Sequence, residues 1–250
     1  ALFDAFNKQL KHFIDIKIKG SNIIEKIYAR EMPVPFLSVM TNDCIARGMD
    51  YNGGGARYNT KYLQGVGIGT ITDALASIKY NVYDEHRFTM GELMQALDDD
   101  FEGYDELLNQ VRSRTPKYGN DDDYADEIMK AVFTSFRSMV SGRPNMLGGM
   151  YRINMLPTTC HVYFGEVMMA SANGRKAHKP VSEGISPEKG ADVNGPTAVI
   201  QSAAKMDHLQ TGGTLLNQKF APDVLKGEEG LEQMANLIRT YFNMDGHHIQ

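Results

Sequence analysis

Only two cysteines, Cys44 and Cys160, occur in 250 residues. That is too few for a disulfide framework, and such scarcity belongs to a reducing compartment. There is no CxxC pair and no HExxH motif, so the usual spacings of a zinc site are missing. No run of 18 apolar residues occurs, which excludes an ordinary membrane-spanning helix. The opening stretch ALFDAFNKQLKHFI interleaves charges with apolar residues and lacks the small-residue cleavage site of a secretory signal. Basic residues are not in excess either. Lys and Arg total 26 against 31 Asp and Glu, and the net charge of −5 offers no cationic face to a nucleic acid.

What is present is the composition of a globular protein. The sequence is 42% hydrophobic and 23% charged, long enough for one large or two small cores. Residues 1–31 carry apolar side chains at helical spacing, including Leu2, Phe6, Leu10, Phe13, Ile14, Ile23 and Ile27. Gly20 and Ser21 interrupt the pattern, which predicts two helices. MPVPF (32–36) is a breaker, and a helix is expected to restart within Leu37–Ala46. NGGGARYN (52–59) reads as a loop and TITDALASIK (70–79) as a helix. One or two helices are expected in 88–111, where Thr89 and Glu92 have capping-box spacing. Asp121–Val140 reads as a helix capped by Asn120 or Asp121, with acids in its first turn and Arg137 in its last. Tyr151–Gly165 and Thr197–Ser202 read as strands, 171–196 as irregular, Glu228–Phe242 as a helix, and HHIQ as the start of a strand. Helices alternating with a few buried strands predict an α/β fold.

Each candidate constellation has a plain competitor. Gly65, Gly67 and Gly69 are spaced GxGxG rather than GxGxxG, so a tight turn is the simpler reading than a dinucleotide loop. Asp121, Asp122, Asp123, Asp126 and Glu127 run straight into a helix, unlike the spaced, glycine-bent ligand loop of a calcium site. His247 and His248 are adjacent and would point to opposite faces of a strand. Cys160 next to His161 is either an activated thiol or a small buried hydrophobe. In a strand, Thr158 and Cys160 share one face, which lines a polar pocket or simply satisfies neighbouring groups.

Six segments, in order along the chain, carry a resemblance. They are NGGGARYN, QGVGIGTITDALASIKY, MLPTTCHVYFG, EGISPEKGAD, NGPTAVIQS and TGGTLLNQKF. Together they resemble the glycyl radical enzymes, in the branch that holds choline trimethylamine-lyase and the glycerol, propanediol and hydroxyproline dehydratases. YGNDDDYADEIM and FNMDGHHIQ are most similar to the hydroxyproline-acting members. The resemblance implies the second half of a ten-stranded α/β barrel with surrounding helices. It implies a barrel-domain portion over 1–178 and the start of a glycine-radical domain over 179–250.

The chemistry implied is dehydration of trans-4-hydroxy-L-proline to a pyrroline carboxylate by a thiyl radical. Loss of trimethylamine from choline or of water from a small diol is the alternative. A non-catalytic scaffold piece is the alternative of another class. The family's thiyl cysteine and its Glu are expected upstream of Ala1, and the radical glycine beyond Gln250, so no catalytic residue and no metal ligand is assigned here. Thr158, Cys160 and Thr197 are expected to face substrate, on barrel strands Tyr151–Cys160 and Thr197–Ile200. No cofactor is expected on this segment. The resemblance implies a glycyl radical installed by a radical-SAM activase, a cytoplasmic location and a homodimer, with neither nucleic acid nor membrane as partner.

Overall fold

A 30-residue helix, α1 (Leu2–Glu31), opens the computed structural model, which describes residues 1–250. The sequence predicted a break at Gly20, and none occurs. A lone glycine inside a helix costs only about 1 kcal/mol, and α1 is anchored on both sides of it. Ile14 and Ile18 are buried before Gly20. Beyond it, Asn22 accepts a hydrogen bond from the Tyr151 hydroxyl at 2.9 Å and Glu25 pairs with Lys61 at 3.6 Å. The proline breaker acts as expected: α1 ends at Glu31, and Pro35 takes the first turn of α2 (Pro35–Met40). The restart is split, because Asp43 adopts φ 76° just before α3 (Cys44–Arg47). Strand β1 (Lys61–Gln64) pairs with β2 (Tyr151–Asn154). The bonds from Lys61 N to Met150 O and from Gly65 N to Asn154 O advance together along both strands, as in parallel pairing.

The chain divides into two compact units, Ala1–Leu63 with Thr134–Ile153 and Gln64–Phe133 with Asn154–Gln250. In the first, Asp50 ties the start of the predicted loop 52–59 to the start of α2. Its carboxylate accepts from Val34 N at 2.9 Å, Ser38 Oγ at 2.7 Å and Asn52 N at 2.9 Å. Gly55 then passes so near the preceding turn that an added Cβ would lie 2.1 Å from Met49 O.

The second unit holds α4 (Ile68–Ile78), which runs into a π-helical turn over Lys79–Asp84. After it come α5 (Met90–Asp98), α6 (Asp105–Ser113) and the start of α7 (Asp123–Val140). The predicted capping box forms: Glu92 N donates to Thr89 Oγ1, and Thr89 N to Glu92 Oε2. The cap of α7 falls on Asp122, past the expected Asn120 or Asp121, and its carboxylate accepts from Tyr124 N at 2.9 Å. Leu93, Ala96, Phe101 and Val111 form the core beneath α5 and α6.

Two strand readings are overturned. Only Tyr151–Asn154 of the first is strand; Pro157 lies in the turn that follows, and Cys160–Glu166 is helix α8. The second, Thr197–Ser202, lies inside helix α9 (Gly195–Ala204). Pro196 sets the first turn of α9, and burial of Ala198, Val199, Ile200, Ser202 and Ala203 outweighs the β preference of its Val-Ile pair. Residues 205–250 add β3 (Leu215–Leu216), α10 (Gly227–Asn243) and β4 (His248–Ile249). β4 is parallel to β3, with Leu215 opposite His248, and a parallel bridge joins Met155 to Thr214. The molecule is thus mostly helical with small parallel sheets.

Gly55→Ala should cost about 1–3 kcal/mol, because the new methyl meets backbone that cannot swing away. A lower urea midpoint with an unchanged m-value is the expected reading.

Candidate functional site

The most polar part of the interior lies in the second unit, where α4 meets the irregular segment 171–191. Gly67, at φ 81°, starts α4, and Gly69 brings the helix so close that an added Cβ would sit 2.8 Å from Ser186 O. The GxGxG run is therefore a close-approach turn. Thr70 and Ser182 then exchange two bonds: Ser182 N donates to Thr70 Oγ1 at 2.8 Å, and Thr70 N to Ser182 Oγ at 3.1 Å. The Thr70 hydroxyl itself donates to Glu188. One turn on, the fully buried Asp73 accepts from Tyr118 N at 2.8 Å through Oδ1, while its Oδ2 has no partner. The Tyr118 hydroxyl reaches back to Ile185 O at 2.7 Å.

Cations line the same region. Lys117 is 8% exposed, and its ammonium donates to Asn173 O at 3.3 Å. Arg112 Nε donates to Gly174 O at 2.9 Å. Arg175, 6% exposed, is spent on Ser171 Oγ and the carbonyls of Met169, Lys176 and Lys179. Between these groups lies a cavity of about 890 Å³. Burial pushes the Asp73 carboxyl up to about 7 against the pull of Lys117 and the Tyr118 amide. Burial also raises Glu188 and lowers Lys117.

The acidic run before α7 is an ion-pair site. Lys205 Nζ lies 2.9 Å from Asp121, 2.8 Å from Asp123 and 2.7 Å from the buried Asp126. Burial works against the Lys205 charge, and the three carboxylates outweigh it, so its pKa is raised. The sequence reading of a solvated helix start missed this lysine, which lies 79 residues from Asp126.

The residues singled out from sequence are not brought together by a strand. Thr158 is exposed in the turn before α8, and its carbonyl lies 3.0 Å from His161 Nδ1. Cys160 is half-buried at the start of α8, and Thr197 is exposed in the first turn of α9 beside an apolar groove of about 380 Å³. A shared strand face therefore no longer links Thr158 to Cys160. Of the sequence candidates near chemistry, His161 alone lines the polar cavity. Cys44 is buried.

Residues 1–165 match the family model described as pyruvate formate lyase-like. The chain belongs to that family. Residues 181–250 match the glycine radical model. Over 249 residues the chain is 66% identical to trans-4-hydroxy-L-proline dehydratase of Clostridioides difficile, covering 100% of this chain and 32% of the relative. It is 35% identical over 250 residues to (2S)-3-sulfopropanediol dehydratase of Klebsiella oxytoca, covering 98% and 30%. Among solved structures, hydroxyproline dehydratase from C. difficile with trans-4-hydroxy-L-proline bound matches at TM-score 0.98 and 65% identity, over 100% of this chain and 32% of that one. The glycerol-bound, B12-independent glycerol dehydratase from Clostridium butyricum matches at TM-score 0.95 and 38% identity, over 99% and 32%. The chain thus spans about a third of the length of these relatives.

Asp73 sets a pH dependence. Its folded pKa of about 7 lies above the 3.8 of the free side chain, so the folded state holds the proton longer. Its contribution to stability is complete below 3.8 and is lost as pH rises to about 7. Glu188, also raised, acts with the same sign. Asp73→Asn should flatten this part of the profile, measured as urea stability at a series of pH values.

Proposed function

We propose that the chain is part of a glycyl radical hydro-lyase that removes water from trans-4-hydroxy-L-proline to give a pyrroline carboxylate. The observation that carries this reading is the 66% identity to the C. difficile dehydratase over the full chain, against 35% for the sulfopropanediol enzyme. Relatives that share only the radical chemistry would not be expected to separate so widely.

In this reading residues 1–178 belong to the barrel domain and 179–250 open the glycine-radical domain. The two family matches support it, ending at 165 and starting at 181. The parallel pairing of β1 with β2 and of β3 with β4, with the bridge from Met155 to Thr214, supports a barrel wall built of parallel strands. The radical, passed from a backbone glycine to a cysteine elsewhere in the enzyme, takes the hydrogen beside the ring nitrogen; the hydroxyl leaves as water with a proton from an acid, and the product radical takes a hydrogen back from the cysteine thiol, which restores the thiyl radical. This chain supplies wall and polar contacts to a space that must exclude water and oxygen. Thr158 offers a free hydroxyl at the end of the β2 wall, with Cys160 and Thr197 as further contacts. The whole enzyme takes its radical from a radical-SAM activase, works as a homodimer and resides in the cytoplasm.

The full-length protein, activated without oxygen, should convert trans-4-hydroxy-L-proline to a pyrroline carboxylate detectable by mass spectrometry. Turnover of choline or glycerol in its place would overturn the assignment. Thr158→Val should lower kcat/KM about tenfold, the worth of one hydrogen bond, and leave the glycyl radical signal in electron paramagnetic resonance intact. Unchanged turnover would remove Thr158 from the pocket.

A further inference from the structure

Helix α1 carries apolar side chains on two opposite faces. The inner face is the anchored one, with Ile14 and Ile18 buried and with Asn22 and Glu25 bound to Tyr151 and Lys61. On the outer face Phe13, Ile16, Ile23 and Ile27 are 48–64% exposed. With Gly20 they fall at positions 13, 16, 20, 23 and 27, the alternating three-and-four step of a coiled-coil seam. A seam that narrow fits one helix better than a sheet or a loop. Gly20 lies at its middle, and an added Cβ there would meet nothing within 4 Å. Nothing in this unit needs the glycine, which weakens a helix interior relative to alanine. A second helix crossing closely at that point supplies the need, because the missing side chain lets two backbones approach.

We infer that the outer face of α1 seats a second helix, contributed by the part of the same polypeptide that lies outside these 250 residues. The chain covers 32% of the C. difficile dehydratase, so about two thirds of such an enzyme is available to supply it. The residues beside the seam state the chemistry of the occupant. His12, Lys19 and Lys26 follow one edge and Lys17 the other, and none of the three lysines makes an ion pair. The acids of α1 near them are taken: Asp15 by Lys11 and Arg143, Glu25 by Lys61, and Glu31 by Arg30. The seated helix therefore presents an apolar stripe edged by Asp or Glu. A second copy laid antiparallel across Gly20 would set this basic edge against its own, like charge against like. The inference rests on the reading that the chain is part of a longer enzyme, and it uses neither the substrate nor the radical.

Hydroxyl-radical footprinting of the unactivated, wild-type full-length protein tests it without a variant. Ile16, Ile23 and Ile27 should be oxidised no faster than Ile14 and Ile18, the same side chain on the buried face of the same helix. Faster oxidation of the outer three would show an open face and overturn the inference. Gly20→Ala adds a test of sign. On an open helix the alanine raises Tm; under a crossing helix its methyl meets backbone and lowers Tm. A lower Tm of the full-length protein is expected, and a rise or no change would overturn the crossing. A zero-length carbodiimide cross-linker identifies the occupant. Lys19 and Lys26 should be joined to Asp or Glu of the same polypeptide outside these 250 residues, in the monomer band of a denaturing gel. Links confined to the dimer band would give the seam to a second copy, and either that or no link would overturn the assignment. A failed dehydration assay would leave all three results unchanged, and an open seam would leave the substrate assignment unchanged.

Discussion

A segment without helix or strand can be buried only if its polar groups are answered one by one, and much of 171–191 is buried. The reciprocal exchange between Thr70 and Ser182 is the first of those answers. It fixes the start of α4 against the segment, and Gly69 allows the approach. Arg175 supplies the second answer by gathering the carbonyls of Met169, Lys176 and Lys179 under one guanidinium. A planar group with five donors suits that task, where a lysine would reach fewer acceptors at fixed geometry. The cavity, the buried Asp73 and the shifted acids all follow from this packing, because they occupy the space between α4 and the pinned segment.

How much of this could be read from sequence depends on whether the deciding contact is local. The Thr89–Glu92 capping box, the proline breaker at 32–36 and α10 are set by neighbours within a few residues, and each appears where the spacing put it. The failures are places where distant contacts decide. Gly20 did not end α1, since its anchors are Tyr151 and Lys61. Val199 and Ile200 favour strand in isolation, yet they are buried in a helix opened by Pro196. MLPTTCHVYFG looked continuous because its apolar residues run on past Pro157, but the strand stops at Asn154 and α8 begins at Cys160.

The polar site was less visible than the fold. Asp73 sits inside TITDALASIK with the look of an exposed helix residue, and only the fold shows it fully buried. Lys117 and Arg175 lie 44 and 102 residues away from it and carry no motif spacing. One local signal was available: Ser, Asn and Gly concentrated in 171–186, the residues that satisfy backbone in turns. That composition reads as irregular, which the structure bears out, and carries no sign that the segment is buried. Conversely, the acids at 121–127 drew notice for their density, and their role depended on one distant cation, Lys205.

The family resemblance survived errors in local structure because it rests on different information. Assigning 197–202 to a strand moved the side chains of one segment; it did not alter the order of six segments along the chain. A pattern of that length is constrained by packing on every side, so chance reproduction is far less probable than a mistaken local propensity. The residue assignments have no such redundancy. Thr158 and Cys160 were joined by a two-residue strand period, and once α8 replaces the strand that period no longer applies. What remains for Thr158 is its position just beyond the last residues of a parallel strand, and in parallel sheets that is where loops carry side chains toward a bound molecule.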